Sequence, residues 1–214
     1  ITINSSQEGS GTGYAIYLWG ANDSKVWNNI VGNAAYGVYL QTASRNNVSA
    51  NNINVSGTSS IGIYLNTRAD NNSIVGNVIS TGGSADSNYG IYLLSTVIGN
   101  NVSHNYINTS GTSNNYGILV SQVNYITLVN NTIRTRNGTG NVGVYFSMSN
   151  LSTLRDTVII TNNTGGSVNY GVYMFYASNN TVVNANVTAE GAGSTTSYGF
   201  FIQNSNDNRI INSS

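Results

Sequence analysis

Asp23, Arg45 and Asp70 each lie nine residues after the start of a repeated phrase such as YGVYL (36–40), as does Asp207. If consecutive copies stack, the first three form an Asp–Arg–Asp column. Carboxylates two layers apart stand about 9.5 Å from each other, the outer limit of the spacing used by an inverting glycosidase. A polysaccharide lyase would instead use the acids for Ca²⁺ and the Arg as base or charge neutraliser. Two acids are few for an ion that takes about six to eight oxygens, however. A surface row of alternating charge also needs no function at all. The remaining acids, Glu8, Asp86, Asp156 and Glu190, are scattered. His104, the one histidine, sits in VSHNY with no acid near it in sequence and reads as a solvated turn residue. With no cysteine there are no disulfides and no thiolate metal site. No metal and no cofactor are expected.

A second pattern concerns N-x-S/T. Fourteen asparagines carry it: Asn4, Asn22, Asn47, Asn54, Asn71, Asn101, Asn108, Asn130, Asn137, Asn150, Asn162, Asn179, Asn186 and Asn212. Random order of the same composition would give about nine. Four pairs, 47/54, 101/108, 130/137 and 179/186, are spaced seven apart. Asn-rich corners beside Thr-rich strands generate some of these motifs unaided. The other reading is a glycoprotein with sugars in rows along its outer surface.

The positions of these residues depend on the repeat. Its copies start at Tyr14, Tyr36, Ile61, Tyr89, Tyr116, Val142, Tyr170 and Tyr198, at spacings of 22 to 28 residues. A period of that size signals a solenoid, propeller or array. Each repeat holds three short alternating apolar runs separated by Asn, Gly or Ser, which are strand and turn signals. A propeller blade needs about 40 residues. Three strands in so short a repeat make one turn of a parallel β-helix, about eight turns in all, and residues 1–214 form one domain.

The units RNNVSANNINVSG with IGIYL, and NNTVVNANVTAEG with SYGFFI, resemble the right-handed parallel β-helix repeats of the NosD-like, pectin-lyase-like superfamily. That resemblance implies an all-β, single-stranded, right-handed solenoid. It leaves function open, since the fold hosts lyases, hydrolases, adhesins and structural rods. A copper site of the kind linked to NosD would find only His104, Met148 and Met174 as ligands.

Alternation assigns the faces. The third and fifth residues of the phrase, such as Ile63 with Leu65 and Ile91 with Leu93, should point inward. The fourth, Tyr17, Tyr39, Tyr64, Tyr92, Leu119, Tyr145, Tyr173 and Phe201, should form an outer aromatic ladder beside a bare glycine column. Such a ladder is either cross-strand packing or a platform for sugar or another chain. Asn51, Asn77, Asn105, Asn163 and Asn186 are expected at the bend between second and third strands, stacked as an amide ladder.

Charged residues make up 7% of the chain, net charge is zero and the bases are scattered, which argues against nucleic acid. No apolar run is long enough for a membrane helix. The first residue is Ile1 rather than Met, pointing to a mature product or a segment. Neither end shows a cap, so head-to-tail stacking with copies of itself, or with flanking repeats, is expected. The residues thus suggest a non-catalytic extracellular or cell-surface rod bearing covalent N-glycans. The alternative is a carbohydrate-binding or polysaccharide-degrading module.

Overall fold

The computed structural model describes residues 2–4 (backbone only), 13–32, 34–57, 59–83, 86–164, 168–191 and 196–214. Three parallel sheets of eight strands each form the walls of a right-handed coil. Sheet 1 carries the repeated phrase, in strands from Tyr14–Trp19 through Tyr89–Leu94 to Ser197–Gln203. Sheet 2 is built of three-residue strands, Lys25–Trp27, Asn47–Ser49, Ser73–Val75 and so on to Arg209–Ile211. Sheet 3 runs from Thr2–Asn4 through Asn52–Ser56 and Thr132–Arg136 to Asn186–Gly191. The chain visits sheets 1, 2 and 3 in turn and then crosses a loop of variable length back to sheet 1. Strands Tyr14–Trp19 to Asn186–Gly191 make seven complete coils, with partial coils on either side, one fewer than the eight phrases suggest.

In-register pairing puts like on like. Ile63, Ile91, Ile118 and Val144 are consecutive partners in sheet 1, and all four are fully buried. Sheet 2 contributes Val48, Ile74, Val102 and Leu128, and sheet 3 contributes Ile53, Ile79, Ile107 and Ile133. The inward assignment of the third and fifth phrase positions holds along this core. Each such side chain contributes about 1.5–3 kcal/mol by leaving water.

The glycine column does not lie on the outer wall. A Cβ on Gly117 would come within 2.1 Å of Ile133 Cγ2, a core atom of sheet 3, and within 2.6 Å of the Gly143 carbonyl oxygen. Gly62, Gly90 and Gly143 repeat this arrangement. The glycine opens the corner where sheet 1 meets sheet 3, and an isoleucine methyl packs into the space. Simple alternation fails because the phrase begins on that bend, and the paired positions skip the glycine.

All three corners are tied by amides. Between sheets 2 and 3, Asn29, Asn51, Asn77, Asn105 and Asn131 form a ladder. Each of the first four donates both its backbone N–H and its Nδ2–H to the Oδ1 of the next at 2.9–3.0 Å. The second Nδ2 proton reaches back to a strand carbonyl, as from Asn77 to Val48 at 2.9 Å. The residue before each rung turns the chain with a positive φ, as at Asn28, Ala50 and His104, a conformation Asn tolerates well. Asn46, Asn72 and Asn100 hold the corner between sheets 1 and 2. Asn88, Asn115 and Asn141 hold the corner between sheets 3 and 1. Asn51, Asn77 and Asn105 are thus where the sequence suggested. Asn163 and Asn186 are not, since the first ends a strand of sheet 3 and the second begins one.

Facing the glycines inside sheet 3 is a column of Val55, Thr81, Thr109, Thr135 and Thr161. The four hydroxyls are buried without a hydrogen-bond partner. Desolvating such a group costs about 1–3 kcal/mol, and Val55 shows that the column accepts valine. Thr135→Val is therefore expected to stabilise the coil by about 1 kcal/mol in urea denaturation. A loss of stability would show that the hydroxyl has a partner.

Candidate functional site

The proposed catalytic column is only half assembled. Arg45 meets Asp23 with a two-pronged contact, Nε to Oδ1 at 2.9 Å and Nη2 to Oδ2 at 2.8 Å. Those hydrogen bonds hold the Asp23 carboxyl below its ordinary pKa. Both side chains are more than half exposed, so the pair is a solvated surface contact. Asp70 does not join it. The turn before Ser73–Val75 carries one residue more than the turn before Asn47–Ser49, because the phrases pair at an offset of 25 and the next strands at 26. Asp70 therefore stands beside Ser44, accepting the backbone N–H of Ile98 through Oδ1 at 2.8 Å. It serves as a corner acceptor in the next coil.

The aromatic ladder is a wall of rings stacked on one another. Tyr17 lies 5.0 Å from Tyr39, Tyr39 lies 4.7 Å from Tyr64, and Tyr64 lies 5.1 Å from Tyr92, with planes within 21° of parallel. Leu119 interrupts the column. It resumes with Tyr145 on Tyr173 at 4.7 Å, and Phe201 follows, tilted, at 5.4 Å. Ring faces are spent on neighbouring rings, and Tyr39 is only 6% exposed. Burial raises the phenol pKa values of Tyr39, Tyr64, Tyr92 and Tyr173. The wall presents edges and hydroxyls, with Tyr173 donating to Gln203 Oε1 at 2.9 Å.

The sequon asparagines separate cleanly from the ladder asparagines. Of the fourteen, Asn4 lies outside the described side chains, and none of the other thirteen is buried. The fourteen asparagines buried among the described residues, including Asn51, Asn77, Asn105 and Asn180, include no sequon. At Asn22 and Asn150 the engaged atom is Oδ1, which accepts a backbone N–H from the next coil. The seven-residue pairs do not share one register. Asn47 and Asn101 open strands of sheet 2, whereas Asn130 and Asn179 sit at corners. Asn54 and Asn108 are register-equivalent in sheet 3, while Asn137 follows a strand and Asn186 begins one.

One site was overlooked in the sequence. Arg134 and Arg136 alternate along the outer face of Thr132–Arg136, beside a cleft of about 300 Å³ lined also by Asn137, Ile160, Asn162 and Thr164. The signal was available in TIRTR, where two bases occupy outward positions of one strand.

Residues 1–84 match the family model described as "Periplasmic copper-binding protein (NosD)". The resemblance in the repeats stands. No curated protein matches the chain. Among solved structures it is similar to the periplasmic alginate epimerase AlgG, with a TM-score of 0.60 and 19% identity, over 90% of this chain and 47% of that one. Two variants of that enzyme match at TM-scores of 0.61 and 0.53, with 18% and 16% identity. The chain spans about half the length of the epimerase it matches, and at such identities the likeness is one of fold. It still overturns the expectation of a non-catalytic rod, because the coil shared across nine tenths of this chain carries an enzyme in AlgG.

The copper in the NosD description finds no fitting donor set. His104 Nε2 lies 3.2 Å from Asn130 Nδ2, Met174 is buried in the core and Met148 is exposed. Among the described residues no three His, Cys, Asp or Glu side chains cluster.

Proposed function

We propose that this chain is an extracytoplasmic, surface-exposed β-solenoid that bears N-linked glycans on the outside of its coils and stacks with copies of itself or with flanking repeats. The observation that carries this reading is the division of the asparagines. Ladder amides such as Asn51, Asn77 and Asn105 are spent on coil-to-coil hydrogen bonds, while every sequon asparagine whose side chain is described lies outside the core. Transfer of a glycan needs an Asn that the transferase can reach. Two further facts support it. The similar family and enzyme are both described as periplasmic. A wall with 7% charged residues and no net charge also has little hydration of its own.

Copies of itself or flanking repeats, added through strand edges, are the partners proposed for the coil.

Intact mass of native material, before and after chemical deglycosylation, tests the glycan reading. A large excess mass that collapses to the polypeptide value is expected. An unmodified mass would end it.

A further inference from the structure

Arg134 and Arg136 flank a cleft on the outer face of sheet 3. The two guanidinium groups project from one strand face and are exposed. Neither forms an ion pair among the described residues, whereas Arg45 and Arg155 each have an aspartate. Arg136 Nε donates to Asn108 Oδ1 at 3.0 Å, which occupies one of the five N–H donors of the guanidinium. Arg134 lies over the Tyr106 ring at 5.9 Å. Glu190, the nearest acid by register, is one strand beyond Asn162 and two beyond Arg136.

We propose that this cleft binds one acidic sugar unit, with Arg134 and Arg136 holding its carboxylate. A planar guanidinium fork matches a carboxylate in two hydrogen bonds. Ile160 offers apolar surface to a ring face, and Asn137, Asn162 and Thr164 offer amide and hydroxyl groups to sugar hydroxyls. A volume of about 300 Å³ suits one pyranose ring, at the small end of ligand sites. A phosphate polymer would need a basic track, and the other bases lie off this sheet, Lys25, Arg155 and Arg209 in sheet 2 and Arg45 and Arg68 outside the strands.

The sugar has two candidate sources. Asn108, Asn137 and Asn162, all in or beside the cleft, are sequon asparagines, so the unit belongs either to the protein's own glycan, which rests on the glycosylation proposed above, or to a free acidic polysaccharide. The test uses full-length chain from a host without N-glycosylation, titrated with a glucuronate-ended disaccharide and its neutral glucose counterpart. At least tenfold tighter binding of the acidic sugar is expected, weakening as salt rises. The double variant Arg134→Gln, Arg136→Gln should lose that preference while keeping the wild-type circular dichroism. Should native glycoprotein bind only after deglycosylation, the occupant is its own glycan. Should it bind before and after alike, the occupant is free polysaccharide. Native protein without any glycan would end the glycosylation reading and leave this one standing. Equal binding of both sugars, or undiminished binding by a folded variant, would overturn the proposal.

Discussion

Ile91→Asp is expected to cost about 3–5 kcal/mol, because it places an unpaired carboxylate in a column that is fully buried from Ile63 to Val144. The stacked coils above and below leave that charge no route to water. Tyr92→Ser, one residue on, faces outward. It removes one stacking contact with Tyr64 at 5.1 Å and one edge contact with Tyr89 at 5.3 Å. At about 0.5–1.5 kcal/mol for each ring pair, it should be felt but be much the milder of the two. Urea denaturation followed by circular dichroism decides the matter. Equal losses would mean that the facing of sheet 1 is misassigned.

Gly117→Ala is expected to cost about 3 kcal/mol, at the upper end for one added methyl. The methyl would meet Ile133 Cγ2 at 2.1 Å and the Gly143 carbonyl at 2.6 Å. An isoleucine can change rotamer, but the carbonyl belongs to a strand paired on both sides and cannot withdraw. Gly57→Ala serves as control, since its nearest neighbour would be Ser60 Oγ at 3.8 Å. That change should stay within about 0.5 kcal/mol. A neutral Gly117→Ala would show that the sheet 1–sheet 3 corner is looser than the geometry implies.

These two sites also mark how far sequence alone could be read. The pairing of Ile91 with its neighbours followed from alternation and period, because like residues stack only when register is kept. The inward glycine did not follow, since a bend shifts the phase of alternation without any residue announcing it. Asp70 misled for a related reason. Counting from the phrase start assumes turns of constant length, and one extra residue before Ser73–Val75 moves the carboxylate into Ser44's column. Among the Asn residues, Asn51, Asn77 and Asn105 were legible because they precede a strand of sheet 3 at a fixed distance. Asn163 and Asn186 match them in type but not in register. Arg134 and Arg136 were visible in TIRTR, but what marks them is the cleft they share with Ile160 and Asn162 of the next strand, and only three-dimensional neighbours reveal that.

The division between structural and outward asparagines is tested most directly by site-resolved peptide mapping of native protein. The expected result is glycan on most of Asn47, Asn54, Asn101, Asn108, Asn130, Asn137, Asn179 and Asn186, and none on ladder residues such as Asn51, Asn77 and Asn105. Finding all eight unmodified, or finding sugar on a ladder asparagine whose amide is committed to the next coil, would contradict it.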